Sequence, residues 1–139
     1  MRRKHAKYSM ALFVLFFGTR KKYEEVAHHT IWLGKRYKEL LQEIFHGNLL
    51  PEDFSLYLHR PTATDPDFAP NGCDSFYVLA PVPNLKACID WEAEGPRYSK
   101  KIKQALHSSI LPGLNECIEA DFYMTPNDFK KDYLSEYGA

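Results

Sequence analysis

The stretch Tyr57–Pro83, YLHRPTATDPDFAPNGCDSFYVLAPVP, decides the fold. Two apolar-periodic runs, Phe54–His59 and Ser75–Ala80, flank a connection rich in Pro, Asp, Asn and Gly. That pattern predicts two strands and a structured loop longer than a tight two-residue hairpin. Alternation puts Phe54, Leu56 and Leu58, and likewise Phe76, Val78 and Ala80, on one apolar face. Ser55, Tyr57, His59 and Tyr77 fall on the other. Polar and aromatic groups on a mostly apolar sheet suit the floor of a ligand pocket. An ordinary half-buried sheet is the simpler reading of the same alternation.

Working outward, Tyr8–Gly18 is apolar on both faces, which predicts a central strand covered on both sides, with sheet partners partly preceding Met1. The basic start Met1–Lys7 before it imitates a secretion signal. Gly18-Thr19-Arg20-Lys21-Lys22 offers no small-residue cleavage site, and the apolar run is shorter than the roughly 20 residues of a spanning helix. Arg20–Glu25 reads as a charged loop and Ala27–Leu33 as a short strand. His28 and His29 are adjacent, so regular alternation points them to opposite faces and predicts no shared metal. Tyr37, Leu40, Leu41, Ile44 and Phe45 make one stripe of a core-packing helix over Lys35–His46, stopped by Gly47-Asn48.

Beyond Pro83 a second helix is expected over Glu92–Ser109, with Pro96 in its first turn and Tyr98, Ile102, Ala105, Leu106 and Ile110 buried. Ile118–Met124 alternates as a half-buried strand. Thr125-Pro126-Asn127-Asp128 opens a third helix by capping chemistry, with Phe129, Tyr133 and Tyr137 or Leu134 as its stripe. The expected architecture is α+β: a mixed, largely antiparallel sheet covered by about three helices.

The net charge of +0 argues against broad electrostatic capture of nucleic acid. Basic clusters at Arg2–Lys7, Arg20–Lys22 and Lys100–Lys103 read as solvated surface, or as contacts for anionic lipid headgroups. Cys73, Cys88 and Cys117 are too few and too scattered for a disulfide framework or a zinc site, which fits a reducing cytoplasm. No two of the seven glycines are spaced for a dinucleotide fingerprint or a phosphate loop. No nucleophile elbow, HExxH or paired-acid motif appears, so the residues describe a binding or covering domain without its own catalytic group.

Long runs carry a resemblance. Glu52–Pro83 closely resembles the middle of bacterial-type phytoene desaturases, which are flavin-dependent carotenoid desaturases of the amine-oxidase-like class. SMALFVLFFGT (Ser9–Thr19), AHHTIWLGKRYKELLQEIF (Ala27–Phe45), DWEAEGPRYSKKI (Asp90–Ile102), LPGL (Leu111–Leu114) and TPNDFKKDYLSEYGA (Thr125–Ala139) extend it over nearly the whole chain. The family's enzymes are much longer, so residues 1–139 are expected to be a single partial domain from the substrate-binding part. The resemblance implies that FAD is bound by segments absent from this chain and that the stretch alone is inactive. It implies phytoene as the substrate of the parent enzyme, a long apolar cavity for it, and a peripheral place on a membrane surface in the cytoplasm. A related desaturase acting on a C30 or oxygenated carotene is the alternative within the class. A non-enzymatic domain that binds an apolar ligand or a partner is the alternative outside it. The candidate substrate-binding residues are His59, Arg60, Thr64 and Tyr77, with His28 and Thr30 from the neighbouring strand. Arg60 paired with Asp65 or Asp67 as a loop brace is the competing role for that residue.

Overall fold

The computed structural model describes residues 8–139, so the basic cluster Arg2–Lys7 lies outside it. Strands β1 (Ala11–Thr19), β2 (His29–Trp32), β3 (Leu56–His59), β4 (Asp74–Val82) and β5 (Ile118–Met124) form one sheet in the order β2-β3-β4-β1-β5. Helices α1 (Tyr37–His46), α2 (Trp91–His107), the single turn α3 (Leu114–Cys117) and α4 (Pro126–Tyr133) complete the α+β architecture. Every strand pairing among the described residues is antiparallel.

One face of the sheet is dry. Phe13, Leu15 and Phe17 of β1 share a buried core with Leu56 and Leu58 of β3 and with Phe76, Val78 and Ala80 of β4. Trp91, Tyr98, Ile102 and Leu106 of α2 belong to the same core. The face assignment for Tyr57–Pro83 therefore holds, because period-two alternation is a local property of extended backbone. Ser55 is the exception: it precedes β3, is buried, and its hydroxyl accepts from the Gly34 N–H at 3.1 Å. The loop between β3 and β4 makes two short 3-10 turns, then a turn closed by the Cys73 N–H on the Pro70 carbonyl. Gly72 has φ +83 there, a conformation a side chain would strain. Pro81 is tolerated inside β4 because β3 pairs only as far as Leu79 and asks for no N–H beyond it.

Several expectations are corrected. Among the described residues the partners of β1 are β4 over Ala11–Thr19 and β5 over Val14–Thr19, both later in the chain. Only its Phe13 face is fully covered; Leu12, Phe16 and Gly18 on the other face stay half-buried. In β5 the residues packed on the core are Ile118 and Tyr123, the latter stacked on Phe13 at 5.2 Å, while Phe122 is 61% exposed. α1 buries Leu40 and Ile44 but leaves Tyr37 and Phe45 exposed, and its buried pair stays outside the contiguous core. α4 starts as predicted: the Thr125 N–H and hydroxyl both donate to Asp128 Oδ2 at 2.7 Å. It stops at Tyr133 because Leu134 turns left-handed (φ 56), which leaves Tyr133 and Leu134 exposed and only Phe129 partly buried.

Helix α2 is capped by Asp90, whose Oδ1 accepts from the N–H groups of Glu92 and Ala93. Its start at Trp91 makes Pro96 the sixth residue rather than a first-turn one, so the Glu92 carbonyl lacks its usual donor. Gly95 is where Tyr123 crosses the helix: a Cβ there would stand 2.9 Å from Tyr123 Cε2. Gly95→Ala gains about 1 kcal/mol of helix propensity. Tyr123 is held on Phe13 and has little room to retreat, so overpacking of about 1–3 kcal/mol is expected to exceed that gain. The melting temperature of Gly95→Ala should fall; a rise would show that Tyr123 yields.

Candidate functional site

The face opposite α2 carries one row of rings across the whole sheet. Register aligns Phe122 of β5 with Phe16 of β1, Phe16 with Tyr77 of β4, Tyr77 with His59 of β3, and His59 with His29 of β2. Ring centroids along this row are 4.6, 6.0, 4.5 and 5.2 Å apart. Five strands at the usual spacing give it a length of about 19 Å. A second row beside it, Met124, Val14, Leu79, Tyr57 and Ile31, is mostly aliphatic. The face is thus a partly exposed apolar surface, open at Phe122 and Ile31 and closed over Val14, with a polar end at His29, His59 and Tyr57.

The polar end is built by two loops. His28 precedes β2, so strand alternation does not govern it, and its ring turns onto His59 at 4.6 Å between centroids. His28 Nε2 and His59 Nε2 are 2.7 Å apart. The His28 Nδ1 is hydrogen-bonded to Thr64 Oγ1 from the first 3-10 region. His29 Nδ1 meets the Tyr57 hydroxyl at 2.6 Å. Burial, then the neighbouring His28 and His29, hold the His59 pKa below the ordinary histidine value, which favours a neutral imidazole. The expectation that His28 and His29 could not gather at one place is therefore wrong: a ring nitrogen from each of His28, His29 and His59 lies within 4.8 Å of the others.

Of the six residues proposed from sequence, His28, His59, Thr64 and Tyr77 come together here. Thr30 and Arg60 do not. Thr30 pairs with Leu58 and so points to the opposite face. Arg60 is 6% exposed, and its partner is Asp74, not Asp65 or Asp67: Nε donates to Asp74 Oδ2 at 3.0 Å and a terminal nitrogen donates to the Val26 carbonyl at 2.8 Å. Asp65 instead accepts from the Asp67 N–H. Asp74 also accepts from the Tyr23 N–H and the Thr62 hydroxyl, both at 2.6 Å. This buried carboxylate ties the loops carrying His28 and Thr64 to the end of β4. Phe16, Phe122 and His29 are not among the six, and Tyr57, though on the predicted polar face, is not either; for Phe16 the signal is the second apolar face of β1, and for Phe122 the alternation of Ile118–Met124.

A flavin dinucleotide does not fit this set of residues. Its pyrophosphate needs clustered backbone N–H groups at a glycine-rich turn opening a helix. The left-handed glycines Gly72, Gly113 and Gly138 lie at three separate turns. A groove of about 1040 Å³ between α2 and residues 48–54 is lined by none of the six proposed residues. Two basic clusters are partly neutralised: Arg20 pairs with Glu119, Lys101 with Glu52 and Lys103 with Asp121. The three cysteines are free. No helix among the described residues is long and apolar enough to cross a membrane.

No protein-family model matches the chain. Curated relatives do. The phytoene desaturase (lycopene-forming) of Paracoccus sp. (strain N81106 / MBIC 01143) is 50% identical over 134 residues, covering 96% of this chain and 27% of that protein. The phytoene desaturase (neurosporene-forming) of Rhodobacter capsulatus is 46% identical over 138 residues, covering 96% and 26%. Over nearly its whole length the chain is similar to phytoene desaturases. It spans about a quarter of the length of these relatives. The similarity does not sort products, because lycopene-forming and neurosporene-forming phytoene desaturases match it comparably well. A 4,4'-diapophytoene desaturase of Methylomonas sp. is more distant, at 32% identity over 130 residues.

Proposed function

We propose that this chain is the substrate-facing part of a flavin-dependent phytoene desaturase, and that the row Phe122, Phe16, Tyr77, His59, His29 is a wall along which the hydrocarbon lies. The row itself carries the reading. A linear hydrocarbon offers no charge or hydrogen bond for recognition, so its site must be long, apolar and shaped, with few polar groups. A ring row about 19 Å long with a polar end has that character. FAD belongs to parts of the enzyme outside this stretch, in keeping with the scattered glycines, and supplies the redox chemistry when bound there. A substrate that dissolves in membranes favours peripheral membrane association of the whole enzyme on the cytoplasmic side.

The test uses an intact desaturase carrying this stretch. Phe122 is exposed on the edge strand, so Phe122→Ala should leave melting temperature and flavin content unchanged. If it touches substrate, losing roughly 1.5–3 kcal/mol of apolar contact lowers kcat/KM about tenfold or more. Tyr77→Phe and His59→Ala should also lower turnover at unchanged flavin loading. Unchanged turnover in all three variants would overturn the reading; turnover falling only in step with stability would make the row structural.

A further inference from the structure

We propose that His28, His29 and His59 form a binding site for one divalent transition-metal ion of the zinc type. Three imidazoles from two strands and a preceding loop bring a ring nitrogen each within 4.8 Å of one another. Imidazole is the ligand type that suits zinc, cobalt, nickel and copper, and it disfavours magnesium and calcium, which take oxygen. Two nitrogens bound tetrahedrally to zinc at about 2.0–2.1 Å stand about 3.4 Å apart. His28 Nε2 and His59 Nε2 now share a hydrogen bond at 2.7 Å, so these two rings separate by about 0.7 Å to admit the ion, and the His29 nitrogen closes in from within 4.8 Å.

The surroundings favour the metal-ready tautomers of His28 and His29. A metal-bound histidine characteristically donates its other ring N–H to a fixed acceptor, which holds the ring and its tautomer. Thr64 Oγ1 stands at His28 Nδ1, and Tyr57 Oη stands 2.6 Å from His29 Nδ1. With both Nδ1–H groups donating, the Nε2 lone pairs of His28 and His29 are free. The proton that His59 Nε2 shares with His28 moves onto His59 Nδ1, which is buried without a hydrogen-bond partner, so ion binding must exceed the cost of that tautomer; no net proton is released from neutral imidazoles. Three protein ligands leave a fourth position for water, the arrangement of an open rather than a closed zinc site. The bound ion would join the loop before β2 to the end of β3, two segments 31 residues apart in the chain. This inference does not depend on the hydrocarbon reading, and its test needs no substrate.

The full-length protein carrying this stretch is stripped of metal by dialysis and titrated with cobalt chloride. One equivalent per chain is expected, read from the intense visible bands of tetrahedral cobalt and bleached by zinc. Zinc is expected to raise the melting temperature. His29→Gln, at an exposed position where folding should be unharmed, and His59→Gln should each weaken cobalt binding at least tenfold and abolish the zinc-induced shift. His46→Gln, at the exposed end of α1, should change neither. Absence of saturable cobalt bands at millimolar metal would overturn the proposal. So would binding that survives both His29→Gln and His59→Gln. If His59→Gln alone fails to fold, His29→Gln and the zinc shift of the native chain still decide it.

Discussion

Asp74→Asn is expected to cost about 3–5 kcal/mol of folding stability, the usual consequence of removing one partner from a buried ion pair. The Asp74 side chain is 0% exposed and Arg60 is 7% exposed. Asparagine keeps the shape but loses the charge, so the Arg60 guanidinium stays buried without a counter-ion. The carboxylate also serves two further donors, the Tyr23 N–H and the Thr62 hydroxyl. One side of the amide must present its NH2 group to this set. The hydroxyl can turn and accept; the Tyr23 N–H and Arg60 Nε cannot, so one orientation sets donor against donor. Against a typical domain stability of about 5–15 kcal/mol the loss is large. Urea unfolding of both forms measures it, and a loss under about 1 kcal/mol would sink the account. The double variant Arg60→Met with Asp74→Leu should recover part of the loss, because it removes the charge and its orphaned partner together. Limited proteolysis adds a local readout: in Asp74→Asn, cleavage between residues 20 and 30 and around Thr64 should accelerate, since this carboxylate holds both loops.

Phe13→Ala should cost about 3–5 kcal/mol, against less than about 1 kcal/mol for Phe122→Ala. Both delete the same ring from the same sheet. Phe13 is 0% exposed and lies among Trp91 at 6.0 Å, Tyr98 at 5.1 Å edge-on and Tyr123 at 5.2 Å. Its removal leaves a cavity walled by three rings on two elements, α2 and β5, so collapse is limited. Phe122 stacks on Phe16 at 4.6 Å but faces outward, and water fills the space it leaves. Thermal or urea unfolding of the two variants in parallel gives the difference. Equal costs would mean that the two faces of the sheet are wrongly assigned, and the proposed hydrocarbon wall would fall with that assignment.

What the chain determined by itself is what depends on near neighbours. Alternation in Phe54–His59 and Ser75–Ala80 correctly sorted Leu56, Leu58, Phe76 and Val78 onto one face and Tyr57, His59 and Tyr77 onto the other, because neighbouring side chains on extended backbone must point opposite ways. The start of α4 was legible for the same reason, since Thr125 and Asp128 cap within one turn. Alternation cannot say which strands sit side by side or whether a face is covered. The apolar second face of β1 therefore looked like core throughout, and its Phe16 became part of a half-buried ring row only once β4 and β5 were placed on its two edges. Arg60 looked for a carboxylate inside its own loop and met Asp74, 14 residues on, because the loop folds back over the end of β4. His28 escaped the alternation argument by standing one residue before its strand, and tertiary structure alone carried it across to His59. Pairing across 14 or 31 residues is set by strand order and loop return, which arise from the packing of the whole sheet on α2, and no local pattern encodes them.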